Sequence, residues 1–191
     1  MYWYNCFLIT IHFVGITVGI KGVYSMKKET YQKIFSKIKS VNHGVKLVYL
    51  MGEIMTYMTA VIYLLSVVYT FIRGEIKETA GIIIVPAVSF LLLSLFRMKF
   101  NAKRPYEIYE FEPLIKKDTA GKSFPSRHVF SIFVIGSTLW CVYPYIGTVV
   151  MAAGVVLAVI RVIVGVHFPK DVIAGAVIGY LCGLFTMLFS L

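Results

Sequence analysis

Two histidines, one aspartate and several arginines stand at spacings suited to chemistry on an oxyanion. His128 and His167 are the reactive pair: a neutral imidazole is both a competent nucleophile and an acid/base near neutral pH. Asp171 follows His167 by four residues. If the intervening turn is helix-like, its carboxylate can hold one ring nitrogen and support the positive charge that forms on attack. Arg97 and Arg104 are seven residues apart, two helical turns, and share a face if the helix continues between them. Pro105 then ends that stretch. Arg127 and Arg161 add two further guanidiniums, whose forked donors match the paired oxygens of a phosphate. Ser126, in Pro125-Ser126-Arg127-His128, lies just before a helix, where backbone N–H groups favour an anion. Singly, these residues have plainer uses. Interfacial arginines snorkel to headgroups, and a lone histidine is usually structural. Together they point to an anion site with an imidazole in reach. Two histidines and an aspartate could also ligate zinc, but so many arginines would repel a cation, so neither metal nor cofactor is expected.

The elements that must position these residues read as membrane helices. Apolar residues make up 59% of the chain and charged residues 15%, against about 45–50% and about 25% in soluble domains. A spanning helix needs roughly 20 apolar residues. The candidates are Tyr2–Ile20, Leu47–Ile72, Thr79–Phe96, Val129–Tyr143, Ile146–Val166 and Val172–Leu191. One loop joins the third and fourth, and the chain crosses twice more before Arg161–Asp171. All three polar clusters therefore share one side of the membrane. The lysine-rich stretch Lys21–Lys46 repeats Tyr31, Ile34, Phe35, Ile38 and Val41 at helical spacing, the pattern of an amphipathic helix lying on a surface. The expected fold is all-α: a six-helix transmembrane bundle with an interfacial helix between the first two spans. It forms one domain over residues 1–191, with the surface helix at about 21–46 and the polar loop at about 97–128. The N-terminus, without a basic region or cleavage site, reads as a retained first helix.

The net charge of +10 suits anionic headgroups or a phosphorylated substrate better than nucleic acid, because no basic module stands apart from the spans. Gly175, Gly179 and Gly183, four apart, allow close helix packing in lipid. Cys6, Cys141 and Cys182 lie in apolar runs and form no paired framework. Glu53, within the second span, reads first as an interface residue and second as a functional carboxylate.

At these residues the sequence resembles the type 2 phosphatidic acid phosphatase family, which shares a fold with vanadium haloperoxidases. The family's motifs are Lys-x6-Arg-Pro, Pro-Ser-Gly-His and Ser-Arg-x5-His-x3-Asp. Here they read Arg97-x6-Arg104-Pro105, Pro125-Ser126-Arg127-His128 and Ile160-Arg161-x5-His167-x3-Asp171. The resemblance runs from about the second span to the end. It implies that His167 attacks phosphorus, Asp171 orients it, and His128 protonates the leaving oxygen and then assists water. Arg97, Arg104, Ser126 and Arg161 would hold the phosphoryl oxygens. The implied activity is metal-independent hydrolysis of a lipid phosphate or diphosphate, of undecaprenyl diphosphate, phosphatidylglycerophosphate or phosphatidic acid type. Three positions depart from the motifs. Arg97 stands for lysine and changes the donor geometry, Arg127 for glycine, and Ile160 for serine, removing a hydroxyl. Arg127 either adds a guanidinium for a second phosphate or points to water.

The resemblance places the site on the extracytoplasmic face of a multi-pass protein of the cell membrane. The lysine-rich segment on that face runs against the positive-inside rule, which anionic headgroups bound to an amphipathic helix would explain. Two other classes stay open on sequence alone: a transporter or scaffold that keeps an anion site, and an oxidative enzyme using vanadate in the same pocket.

Overall fold

The structure is a computed structural model and describes residues 26–115 and 120–189. The expected first span, Tyr2–Ile20, lies outside the described residues. Among the described residues the fold is all-helical, with no strand. The helices are α1 (Lys28–Ser40), α2 (Gly44–Ile72), α3 (Ile76–Phe100), the short α4 (Pro105–Tyr109), α5 (Arg127–Val142), α6 (Pro144–Ile163) and α7 (Pro169–Gly183). A 3-10 stretch, Leu184–Phe189, follows.

Four segments are long and apolar enough to cross a membrane: Gly44–Ile72, Ile76–Tyr109, Pro144–Ile163 and Pro169–Phe189. They carry rows of exposed large apolar residues, such as Leu47, Tyr57, Leu64 and Phe71 on α2. In lipid such a face is solvated, not stranded. The expected fourth span is shorter: α5 has 16 residues and a length of about 24 Å, against a hydrocarbon core of roughly 30 Å. It lies at the centre of the bundle, packed by α7, α6, α3 and α2. Val129, Phe130, Ile132, Val134 and Leu139 are consequently buried. A helix sheathed in protein has no need to match the lipid thickness.

The glycines of α7 make that sheathing possible. A Cβ at Gly175 would stand 2.7 Å from the Ser126 carbonyl oxygen, and one at Gly179 would stand 2.6 Å from that of Phe130. A Cβ at Gly183 would meet Ser137 Cβ at 2.5 Å. The four-residue glycine repeat is the seam along which α7 lies against α5. That seam fixes Asp171, at the start of α7, beside Ser126, at the start of α5: the Ser126 N–H donates to the Asp171 carbonyl at 2.8 Å.

One local expectation fails. The α3 helix does not continue to Arg104. Asn101 takes a left-handed conformation at φ 41 and closes the helix, so Arg97 and Arg104 do not lie two turns apart on one face. Arg104 instead precedes α4, where its backbone N–H donates to Glu107 Oε2 at 2.8 Å. The helix is terminated at Asn101, four residues before Pro105, which opens α4 instead.

Candidate active site

Three connections meet at one end of the bundle: the loop after α3, the segment before α5 and the turn between α6 and α7. Val164–Phe168 forms that turn. Gly165, at φ +80, reverses the chain, and the Val164 and Gly165 N–H groups close onto the Ile160 and Val162 carbonyls. His167 then emerges just ahead of α7. Its N–H donates to the Arg161 carbonyl at 3.2 Å, and Arg104 Nη1 donates to the carbonyl of the preceding Val166 at 3.4 Å.

Asp171, in the first turn of α7, does two things at once. Its Oδ2 accepts the Phe168 N–H at 3.0 Å, which secures the helix start. The same oxygen lies 3.7 Å from His167 Nδ1, too long for a good hydrogen bond. Ser123 fills the gap. Its Oγ donates to Asp171 Oδ2 at 2.5 Å and lies 3.4 Å from His167 Nδ1. Because the only hydroxyl hydrogen of Ser123 goes to the carboxylate, its oxygen faces the ring as an acceptor. This arrangement favours the tautomer with the proton on Nδ1 and leaves the Nε2 lone pair free. Burial pulls the His167 imidazole pKa down to about 4; Asp171 opposes that shift, and the Arg104 and Arg97 charges add to it. The ring is therefore neutral at physiological pH.

His167 is buried, yet it borders a cavity of about 390 Å³ together with His128, Arg97, Arg104, Arg127 and Lys122. The two histidines and three arginines thus share one basic chamber. Arg97 reaches across from α3, its two terminal nitrogens donating to the Pro125 and Lys122 carbonyls. It pins the loop that precedes α5. Arg104 Nε donates to the Gly121 carbonyl at 2.9 Å. Arg127 is exposed, with its guanidinium 5.7 Å from the Phe90 ring centre. Two expected residues stand behind the chamber wall, not on it. Ser126 and Arg161 are buried, and Ser126 Oγ and Arg161 Nε have no hydrogen-bond partner among the described residues. Among those residues no three His, Cys, Asp or Glu side chains gather into a metal-binding cluster.

A family model described as the PAP2 superfamily matches residues 78–191, more than half of the chain. The chain belongs to the PAP2 superfamily. It is 31% identical over 108 residues to a "Lipid A 1-phosphatase" of Rhizobium etli, an alignment covering 54% of this chain and 45% of the relative. The chain thus spans less than half the length of that protein. It is 28% identical over 142 residues to the "Bacitracin transport permease protein BcrC" of Bacillus licheniformis, covering 72% of this chain and 68% of the other. Its fold is like that of a transmembrane PAP2 type phosphatidylglycerolphosphate phosphatase from Bacillus subtilis, with TM-score 0.64 and 19% identity, over 98% of this chain and 94% of that one.

Two residues that organise this PAP2 site escaped the sequence reading. Ser123 is one, and nothing in its spacing marks it; the only available signal was a hydroxyl residue three positions before Ser126. Glu107 is the other. Both its carboxylate oxygens lie 3.0 Å from the Gly121 N–H while Oε2 also takes the Arg104 N–H. It ties the two ends of the loop together. A carboxylate three residues after an N-cap position is a recognised helix-start signal, and Glu107 stands there.

Proposed function

We propose that this chain is a membrane phosphatase that removes phosphate from phosphomonoester or diphosphate lipids through a phosphohistidine. The observation that carries the reading is the Ser123–Asp171–His167 chain, which presents a neutral imidazole to a chamber walled by guanidiniums. His167 Nε2 attacks phosphorus, and the bond to the lipid oxygen breaks as the N–P bond forms. His128, across the same cavity, gives that oxygen its proton. In the second step His128 takes a proton from water, and the water oxygen displaces His167 from phosphorus. Arg97 and Arg104 neutralise the phosphoryl oxygens. Ser126 and Arg161 do not line the cavity as it stands; their buried donors are unpaired, at a cost of about 1–3 kcal/mol each, and would reach the anion only if the loop shifts as it enters.

The names of the Rhizobium relative and of the Bacillus subtilis structural neighbour both describe phosphate removal from a lipid, which supports this substrate class. The mechanism uses no metal. Arg127 borders the chamber at its exposed side, where a second phosphate would lie, so Arg127→Gly should lower turnover of diphosphate lipids more than of monophosphates; equal losses would remove that preference. The site opens on the extracytoplasmic face.

Anionic lipids are the proposed partners of the lysine-rich region. At the elbow between α1 and α2, Lys39, His43 and Lys46 rim a cavity of about 520 Å³ floored by Val41, Val45 and Leu114. Below it α2 exposes Leu47, Leu50 and Ile54, an apolar track for an acyl chain.

The permease name of the Bacillus licheniformis relative favours a second reading, a membrane protein that binds an anion without turning it over. Purified protein offered a panel of lipid mono- and diphosphates, with and without EDTA, separates the two. The phosphatase reading expects phosphate release that survives EDTA and disappears in His167→Ala. Anion binding without release favours the second reading, and activity lost in EDTA and restored by zinc contradicts the metal-free mechanism.

A further inference from the structure

The segment that matches the PAP2 family begins at residue 78, yet the nucleophile's loop is braced from a helix outside it. Tyr31 on α1 is fully buried, and its hydroxyl donates to the His167 carbonyl oxygen at 3.3 Å, 136 residues away in sequence. Its ring sits 5.3 Å from that of Phe111 and 6.4 Å from that of Tyr109. Tyr109 in turn meets Phe168, the residue after His167, edge-on at 6.0 Å. One turn along α1, Phe35 closes on the reversal itself: a Cβ at Gly165 would fall 2.7 Å from Phe35 Cζ. Burial first, then the neighbouring Asp171 and Tyr109, raise the Tyr31 phenol above its ordinary pKa, so it stays protonated and remains a donor.

The His167 backbone is thereby held on both sides. Its N–H is tied to Arg161 within the chain's own turn, and its carbonyl is tied to α1. We infer that Tyr31 is a positioning residue for the reaction, fixing the His167 backbone so that the ring, oriented by Ser123 and Asp171, meets phosphorus. This rests on the phosphatase reading. It makes α1, whose outer face carries the exposed Lys33, Lys37 and Lys39, a structural part of the active site and not a mere surface anchor.

The test is Tyr31→Phe in the full-length protein, which keeps the ring and removes only the hydroxyl. The expected result is kcat about 3- to 10-fold lower, as for loss of one net hydrogen bond, with KM unchanged and a thermal midpoint lower by no more than about 2–4 °C. Hydrogen–deuterium exchange should be faster in residues 164–168 than in the unaltered protein. Unchanged kcat in an otherwise active enzyme, or unchanged exchange across 164–168, overturns the inference. Faster exchange spread over the whole chain and not concentrated in 164–168 also overturns it, by assigning Tyr31 to general packing. Failure of the unaltered protein to release phosphate from any lipid would instead overturn the phosphatase reading, a distinct outcome.

Discussion

Ser123 stands closer to the proposed chemistry than its unremarkable sequence position suggests. It bridges a carboxylate and an imidazole that do not reach each other well. Ser123→Ala would leave Asp171 without that donor and His167 Nδ1 without its nearest acceptor. A hydrogen bond to a charged group is worth about 1.5–3 kcal/mol, so kcat should fall roughly 10- to 100-fold, measured as phosphate release at saturating lipid. The depressed His167 pKa has two further consequences. With His167 as the proposed nucleophile, activity needs the unprotonated ring, so the acid limb of kcat/KM attributable to His167 is expected near 4, not near the ordinary value of about 6.5. The stability effect has the same sign. Between those values the unfolded chain binds a proton that the folded one refuses, so stability is lost as pH falls through that window. Thermal melts of His167→Asn should lose less than the unaltered protein between pH 6.5 and 4; equal losses would show that His167 is not held neutral. Residue type and motif spacing point to eight candidates; the structure gathers Arg97, Arg104, Arg127, His128 and His167 around one cavity, with Asp171 beside His167, and leaves Ser126 and Arg161 off its lining. Ser123 and Glu107 were not among the eight, because their role is to bond loop backbone and neighbouring side chains whose course the spacing does not set.

The α5–α7 seam does the positioning at the level of elements. Asp171 and Ser126 are neighbours because glycines let two helix backbones nearly touch. Gly179→Val would drive side-chain atoms into the Phe130 carbonyl region, where even a Cβ stands at 2.6 Å. Overpacking of this kind costs about 1–3 kcal/mol, read as a lower thermal midpoint in detergent micelles together with reduced phosphate release. An unaltered midpoint would mean that the seam is looser than described. This seam was visible in the sequence as a four-residue glycine repeat within an apolar run. The end of α3 was not. A pattern of Arg97 and Arg104 seven apart reads naturally as two helical turns, whereas the chain turns out at Asn101 and brings both guanidiniums to the loop by separate routes. A left-handed asparagine is a local backbone choice that hydrophobic periodicity does not report.

At the scale of the whole molecule, the buried contact between Tyr31 and His167 puts α1 and the candidate active site on one side of the membrane. With native cysteines replaced, Lys33→Cys and Lys122→Cys should both react with a membrane-impermeant maleimide from the same side of sealed vesicles, and from outside intact cells. Labelling from opposite sides would contradict the arrangement. The all-helical, membrane-embedded character was plain from composition and apolar runs, since lipid leaves helices few alternatives. The short central helix was less legible: α5 is apolar enough to resemble a span, and only its neighbours make it an interior helix.

Mass spectrometry after a rapid alkaline denaturing quench of the enzyme mixed with a lipid phosphate is the decisive measurement, because a phosphoryl group on histidine survives base and is lost in acid. The phosphohistidine mechanism requires one phosphoryl group on His167 in the unaltered protein and none in His167→Asn. Continued phosphate release from His167→Asn, or a phosphoryl group found on His128 instead, would contradict it.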